Sequence, residues 1–163
     1  MKLEDLLMSV DPEKWQTRQA IIFDWYDGPR AGVCSLEYPR CEFYYDVLDE
    51  IHNEDGLDGR TFLISAIADG SVDRVRDALQ TLGGPANSVW VPQYSFSDPS
   101  ERAHADAVIR EVENSRRRAD VIISTPDMES FHGCWRPVSV IADAQKFRSA
   151  STASLSMAPV LSS

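Results

Sequence analysis

The stretch AIIFDWYDGPRAGVC, residues 20–34, decides the fold. β-branched and aromatic residues run over 20–25, stop at Asp27-Gly28-Pro29 and give way to a second such run over 31–36. Asp-Gly is a frequent hairpin turn, and the proline after it keeps the exit of the turn extended. The pattern therefore predicts two antiparallel strands joined by a tight turn.

Two further strands follow from the same kind of pattern. Apolar and polar side chains alternate over residues 42–48, which predicts a half-buried strand. Residues 61–67 are apolar enough for a central strand, and the intervening residues 53–59 are rich in turn formers. The first half of the chain is thus predicted to form an antiparallel meander of about four strands.

The second half predicts two amphipathic helices. One spans about 71–82, with Ser71 as its N-cap and a Gly-Gly pair after its end. The other spans about 99–117, with Asp98 as N-cap, Pro99 in the first position and the arginines 116–118 at its C-terminal end.

Shorter elements complete the prediction. Residues 2–9 have the spacing of a short helix, and Asp11-Pro12 marks a second helix start. Short strands are expected at 88–91, 120–124 and 138–141. Strands first and mixed elements later indicate an α+β protein, in which two helices pack on an antiparallel sheet.

Length and composition indicate one domain. The chain of 163 residues has the size of a common single domain. Residues 148–163 are rich in Ser and Ala, which predicts a flexible tail after a globular domain at 1–147.

The charge and the missing motifs exclude several classes of function. A net charge of −10 repels the phosphate backbone, so no nucleic-acid partner is expected. No apolar run approaches the roughly 20 residues of a membrane span. Three cysteines and no signal peptide pattern indicate the cytoplasm. No nucleotide-binding, nucleophile-elbow or zincin motif is present, so no cofactor is predicted.

The corner between the first two strands is the first candidate site. It holds Asp24, Trp25, Tyr26, Asp27 and Arg30. Two carboxylates between aromatic walls would make a small binding pocket. The structural alternative, which we favour, is a tight turn in which Asp27 accepts backbone hydrogen bonds and Arg30 pairs with a carboxylate.

The cysteines form a second candidate. Cys34 and Cys41 flank a predicted hairpin, so their thiols are expected side by side across it, as half of a zinc site, as a regulatory disulfide or as two buried apolar groups. A third candidate is the loop 131–137, in which His132, Cys134 and Trp135 surround a glycine. A thiolate beside a histidine is a potential nucleophile, whereas packing of Trp135 would only close the loop.

The segment DWYDGPRAG at 24–32, with Cys34 and the aromatic strand CEFYY at 41–45, resembles small bacterial proteins that have no assigned activity. These proteins open with D-W-Y-D-G-P-x-x-G, and the resemblance covers residues 20–67. It implies a related fold and a bacterial origin, and it implies no activity.

These observations favour a non-enzymatic binding protein of the inhibitor or immunity type. Its surface would be the corner around Trp25, Tyr26 and Asp27, together with the acidic residues 49–58, and its partner a basic protein. The alternative is a small metal-binding or cysteine-dependent enzyme. It would use the corner at 24–41 and the loop 131–137, with Cys34, Cys41 and Cys134 as ligands or nucleophiles.

Overall fold

The computed structural model describes residues 1–25, 29–54, 56–79, 88–90, 98–125, 137 and 139–145. The helices are α1 (Leu3–Met8), α2 (Ser71–Ala78) and α3 (Pro99–Ser115), and a 3₁₀ turn spans Pro12–Lys14. The strands are β1 (Gln16–Trp25), β2 (Pro29–Tyr38), β3 (Cys41–Asn53), β4 (Gly56–Ala66), β5 (Ser88–Trp90), β6 (Val121–Thr125) and β7 (Ser139–Ile141). The predicted α+β class is confirmed.

The strands form one sheet in the order β5-β1-β2-β3-β4-β6-β7. β1 to β4 pair antiparallel in sequence order, which confirms the predicted meander. β6 adds to β4 and β7 to β6, both antiparallel, while β5 lies parallel to β1. The late strands therefore extend the two edges of a sheet that the first half of the chain builds.

The hairpin between β3 and β4 is longer than predicted. Residues 53–59 were expected to form a turn, but Ile51 pairs with Gly59 and Asn53 with Gly56. The prediction was wrong here because a paired strand satisfies its backbone N–H and C=O groups residue by residue, which outweighs the weak strand preference of Asp, Asn and Gly.

Both faces of the sheet are covered. One face buries Phe43, Tyr45 and Phe62 beneath α1 and the 3₁₀ turn, which contribute Leu7 and Trp15. The other face packs against α2 and α3 through a cluster comprising Ile21, Val33, Tyr44, Val72, Val75, Ala78, Leu79, Ala105 and Val112. The strand at 42–48 is consequently not half-buried as predicted, since Tyr44 on its second face is only 4% exposed.

The start of α2 differs from the prediction. Its N-cap is Gly70, at a φ of 83° in the left-handed region that glycine enters without strain. Ser71 is the first helical residue, and its hydroxyl donates to the Ala68 carbonyl oxygen at 2.6 Å. The cap comes from β3 instead, since a Glu42 carboxylate oxygen accepts the Val72 N–H at 3.2 Å.

The start of α3 is as predicted. The Asp98 carboxylate accepts the Ser100 N–H at 2.8 Å, and Pro99 occupies the first turn. This hydrogen bond lowers the pKa of Asp98. The helix ends at Ser115, so Arg117 and Arg118, expected at its C-terminal end, lie beyond it.

Two predicted segments consist of residues that lie outside the described ranges. The predicted tail, residues 148–163, and the turn residues 26–28 lie outside the described residues.

None of the helices that the structure describes is long and apolar enough to cross a membrane.

Candidate functional site

A chain of ion pairs crosses the end of the sheet where β1 meets β2 and β3 meets β4. The Arg60 side chain is 0% exposed, and its Nε lies 3.0 Å from Oε1 of Glu50 on the neighbouring strand. Its Nη1 donates to the Pro29 carbonyl oxygen at 3.0 Å. A buried guanidinium needs such partners, because an uncompensated charge inside a protein is strongly destabilising.

Arg30 extends this chain toward the surface. Its Nε lies 3.3 Å from Glu50 Oε1, and its Nη1 lies 3.8 Å from Asp24 Oδ2. Glu50 is therefore shared by two arginines. We call Asp24, Arg30, Glu50 and Arg60 the ion-pair cluster.

The ion-pair cluster leaves acidic side chains at the surface of this end. The Asp24 side chain is 59% exposed, and Asp49 and Glu54 on the β3–β4 hairpin are exposed. Within the described ranges neither Asp49 nor Glu54 has an ion-pair partner. Arg30 and Arg60 are directed to Glu50, so the described side chains that this hairpin end presents to solvent without an ion-pair partner are acidic.

The structure describes only part of the predicted corner. Arg30 contacts the carboxylates of Asp24 and Glu50. Trp25 is the last residue of β1, opposite Pro29, which confirms the predicted hairpin. Tyr26 and Asp27 lie outside the described residues.

The ends of the loop 131–137 can be located relative to this corner. His132, Cys134 and Trp135 lie outside the description, and Pro137 is buried. Thr125, at the end of β6, is the register partner of Arg60, and Ser139 on β7 is that of Ser124. The chain thus leaves and re-enters the sheet at the end that carries the ion-pair cluster.

The described cysteines are both free and lie diagonally across the β2–β3 hairpin. Cys34 is the register partner of Phe43, and Cys41 is that of Leu36. The thiols are therefore offset by two residues, and direct cross-strand opposition, which the sequence suggested, does not occur. A diagonal offset places side chains farther apart than a direct pair does.

Burial keeps both thiols protonated. Cys34 is fully buried, and desolvation raises its pKa well above the ordinary 9.0. Desolvation, with a smaller contribution from the neighbouring Glu42 carboxylate, raises the pKa of Cys41 to about 12. Since the thiolate is the nucleophile and the metal ligand, neither group is activated for such chemistry.

Thiol labelling tests this state directly. In a Cys134→Ser variant, we expect the reaction of Cys34 and Cys41 with a disulfide reagent at pH 7.5 to be at least ~100-fold slower in the native protein than in urea. Cys41 should remain slow at pH 9.5, because its pKa lies higher still. Native rates within tenfold of the unfolded rates would contradict this expectation.

No metal centre is present among the residues that the structure describes. They contain no group of three or more His, Cys, Asp or Glu side chains arranged to hold a metal ion. The carboxylates of the ion-pair cluster are bound to guanidinium groups instead.

A cleft of about 650 Å³ lies at the opposite end of the β3–β4 pair. It is bounded by α1, the start of β3, the end of β4 and the segment between α3 and β6. Sequence reasoning missed this site, because it assigned Arg117 and Arg118 to a helix terminus and Glu42 to a strand surface. The sequence signal that could have indicated this cleft was the run of three arginines at 116–118 in an otherwise acidic chain.

Glu42 is a half-buried carboxylate of this cleft. Desolvation raises its pKa, and the hydrogen bond from the Val72 N–H opposes that effect. The same carboxylate therefore holds the start of α2 and lines the cleft.

Comparison of the chain with family models, curated proteins and solved structures finds no match.

Proposed function

We propose that this chain is a non-enzymatic binding protein of the bacterial cytoplasm that recognises a basic protein through the acidic end of its β3–β4 hairpin. The supporting observation is which charged side chains are paired and which face solvent. Arg30 and Arg60 are held by Glu50, while Asp49 and Glu54 face solvent. The corner at Trp25, Tyr26 and Asp27 adjoins this end in sequence and is proposed as part of the same surface.

Electrostatics make such a surface effective in association. Complementary potentials speed the encounter of two proteins, and the effect weakens as salt screens the charges. The net charge of −10 adds a long-range field of the same sign. An inhibitor- or immunity-type protein that binds a basic target would use this property.

The state of the described thiols also supports binding over cysteine catalysis. The raised pKa values of Cys34 and Cys41 are the opposite of what a nucleophilic cysteine requires. An ordered ion pair such as Arg60–Glu50 also suits a binding role, because it fixes the shape of the surface around it.

The test compares two variants that lose the same charge. Asp49→Asn/Glu54→Gln removes two exposed carboxylates from the hairpin end, and Glu37→Gln/Asp106→Asn removes two from surfaces elsewhere. Partners are captured from a bacterial extract at low salt and identified by mass spectrometry. We expect a basic protein whose association rate constant falls about 3- to 10-fold with the hairpin variant and little with the matched control.

The salt dependence completes this test. The wild-type rate should fall steeply between 20 and 300 mM salt, and the hairpin variant should show a smaller slope. If no captured basic protein distinguishes the hairpin variant from the control, the proposal is wrong. Trp25→Ala and Asp27→Ala then test whether the corner belongs to the same surface.

A further inference from the structure

The cleft at the other end of the β3–β4 pair is a second, separate site. Glu42 at the cleft and Glu50 in the ion-pair cluster are eight residues apart on β3, or about 25 Å at the rise of a strand. A volume of about 650 Å³ lies within the range of small-molecule sites. A ligand bound here would not touch the acidic hairpin end.

Three arginines line this cleft without being neutralised. Arg40, Arg117 and Arg118 all border it, and in the described part of the chain none of them has an ion pair within 4 Å. Elsewhere Arg18 pairs with Asp73 and Arg74 with Glu111, whereas Arg110 on α3 also has no ion pair in the described part of the chain. In a chain as acidic as this one, unpaired guanidinium groups around one cleft indicate an anion site.

The backbone holds two of these arginines in place. The Arg117 N–H donates to the Ala66 carbonyl oxygen at the end of β4, at a distance of 2.9 Å. This hydrogen bond ties the segment after α3 to the sheet beside the start of α2. Arg117 and Arg118 are therefore presented by a fixed backbone, which lowers the entropic cost of ordering them around a ligand.

The rest of the polar lining comprises Lys2, Ser115 and the carboxylates of Glu4, Glu42, Asp69 and Asp120. Glu42, Asp69 and Asp120 border the same cleft and can accept hydrogen bonds from hydroxyl groups. Among the described residues, the lining contains no aromatic ring on which a nucleobase would stack. The carboxylates also repel an extended polyanion, which excludes nucleic acid and favours a ligand with a single anionic group.

We propose that the cleft binds a small organic phosphate rich in hydroxyl groups, of the sugar phosphate class. The guanidinium groups of Arg40, Arg117 and Arg118 hold the phosphate, for which arginine has matching bidentate geometry. The carboxylates of Asp69 and Asp120 accept hydrogen bonds from the sugar hydroxyls. One carboxylate oxygen of Glu42 accepts the Val72 N–H and thereby caps α2. A ligand in the cleft therefore also contacts the residue that caps this helix.

The experiment titrates the ¹⁵N-labelled full chain with glucose 6-phosphate, ribose 5-phosphate, inorganic phosphate and glucose, and follows the backbone amide signals. We expect the two sugar phosphates to shift signals of residues at 40–42, 66–72 and 115–121. Both should bind at least 5-fold more tightly than inorganic phosphate, and glucose should not bind measurably. Arg117→Gln/Arg118→Gln should weaken sugar phosphate binding at least 10-fold.

The matched control removes two arginines from α3 outside the cleft. Arg102→Gln/Arg110→Gln should bind the sugar phosphates as the wild type does, and so should the hairpin variant Asp49→Asn/Glu54→Gln. Equal losses in the cleft and control variants would overturn the proposal, since they would indicate a general effect of net charge. Absence of binding by any probe at 10 mM, or equal affinity for inorganic phosphate and the sugar phosphates, would also overturn it.

Discussion

Replacing Gly32 with alanine is expected to lower the free energy of unfolding by about 3 kcal/mol or more, the upper end of what overpacking a core costs. Gly32 lies in the middle of the sheet, with Ile22 of β1 and Tyr45 of β3 as its register partners. A methyl group there would collide with the Ile21 carbonyl oxygen. It would also lie 2.5 Å from the Tyr45 hydroxyl oxygen and 2.8 Å from Cζ of the same ring.

Neither neighbour can move away cheaply. The Ile21 oxygen belongs to the backbone of a central strand, and the Tyr45 side chain is 0% exposed. The Tyr45 ring also meets the Phe62 ring edge-on, with the ring centroids 5.6 Å apart. Relief of the clash would therefore shift β1 or displace two packed rings, and interiors of this density transmit such strain.

The control for this prediction is Gly70, where a side chain would have space but the backbone angle is unfavourable. A Cβ atom on Gly70 would meet nothing within 4 Å, but its φ of 83° disfavours any other residue. Gly70→Ala should cost about 1 kcal/mol through backbone strain alone. Urea denaturation monitored by tryptophan fluorescence measures both variants. A loss below 1 kcal/mol for Gly32→Ala would show that the sheet can accommodate the methyl group.

The second large effect is expected for Glu50→Gln. This change keeps the shape of the side chain and removes the negative charge beside the buried Arg60 guanidinium. Breaking a buried pair typically costs 3–5 kcal/mol. Glu50 is 20% exposed and solvent screens part of the interaction, so we expect a loss of about 2 kcal/mol in the free energy of unfolding.

An exposed pair provides the comparison. Arg74 and Glu111 lie 2.9 Å apart, closer than Arg60 and Glu50, but both side chains are more than half exposed. Glu111→Gln should change stability by less than about 0.5 kcal/mol, since water competes for exposed charges. Similar losses in the two glutamine variants would mean that burial does not control the strength of the Arg60–Glu50 pair.

A double variant separates the pair from the packing around it. Glu50→Gln/Arg60→Met removes the buried charge together with its partner, so its loss should be clearly smaller than the sum of the two single losses. Additive losses would contradict a direct coupling between the two residues.

The sequence pattern predicted an element correctly where that element depends only on residues close together in the chain. The Asp-Gly-Pro turn between two apolar runs predicted the β1–β2 hairpin, and Asp98-Pro99 predicted the start of α3. Prediction failed where a distant residue replaced a local one. Ser71 is a good N-cap in isolation, but Glu42 on β3 occupies that role, which only the folded chain can bring about.

The candidate sites were predictable to a smaller degree. Arg30 was expected to pair with a carboxylate, but its partner Glu50 and the buried Arg60 were not foreseen. Arg60 was visible as the cation that ends an acidic stretch from Glu42 to Asp58. Periodicity alone could not show that it is buried, because burial depends on which strands lie beside it.

By itself, the sequence determined the α+β class, the antiparallel meander and the strong negative charge. It also determined two caps: Asp98 at the start of α3, and Asp11, whose carboxylate accepts the Glu13 N–H at the 3₁₀ turn. These features depend on backbone preferences and on side chains within a few residues of each other. The tertiary structure decided which charges are buried, which arginines have no ion pair among the described residues and where a cleft opens. Those properties depend on residues such as Glu42, Arg60 and Arg117, whose neighbours are far away in sequence and become adjacent only when the sheet is assembled.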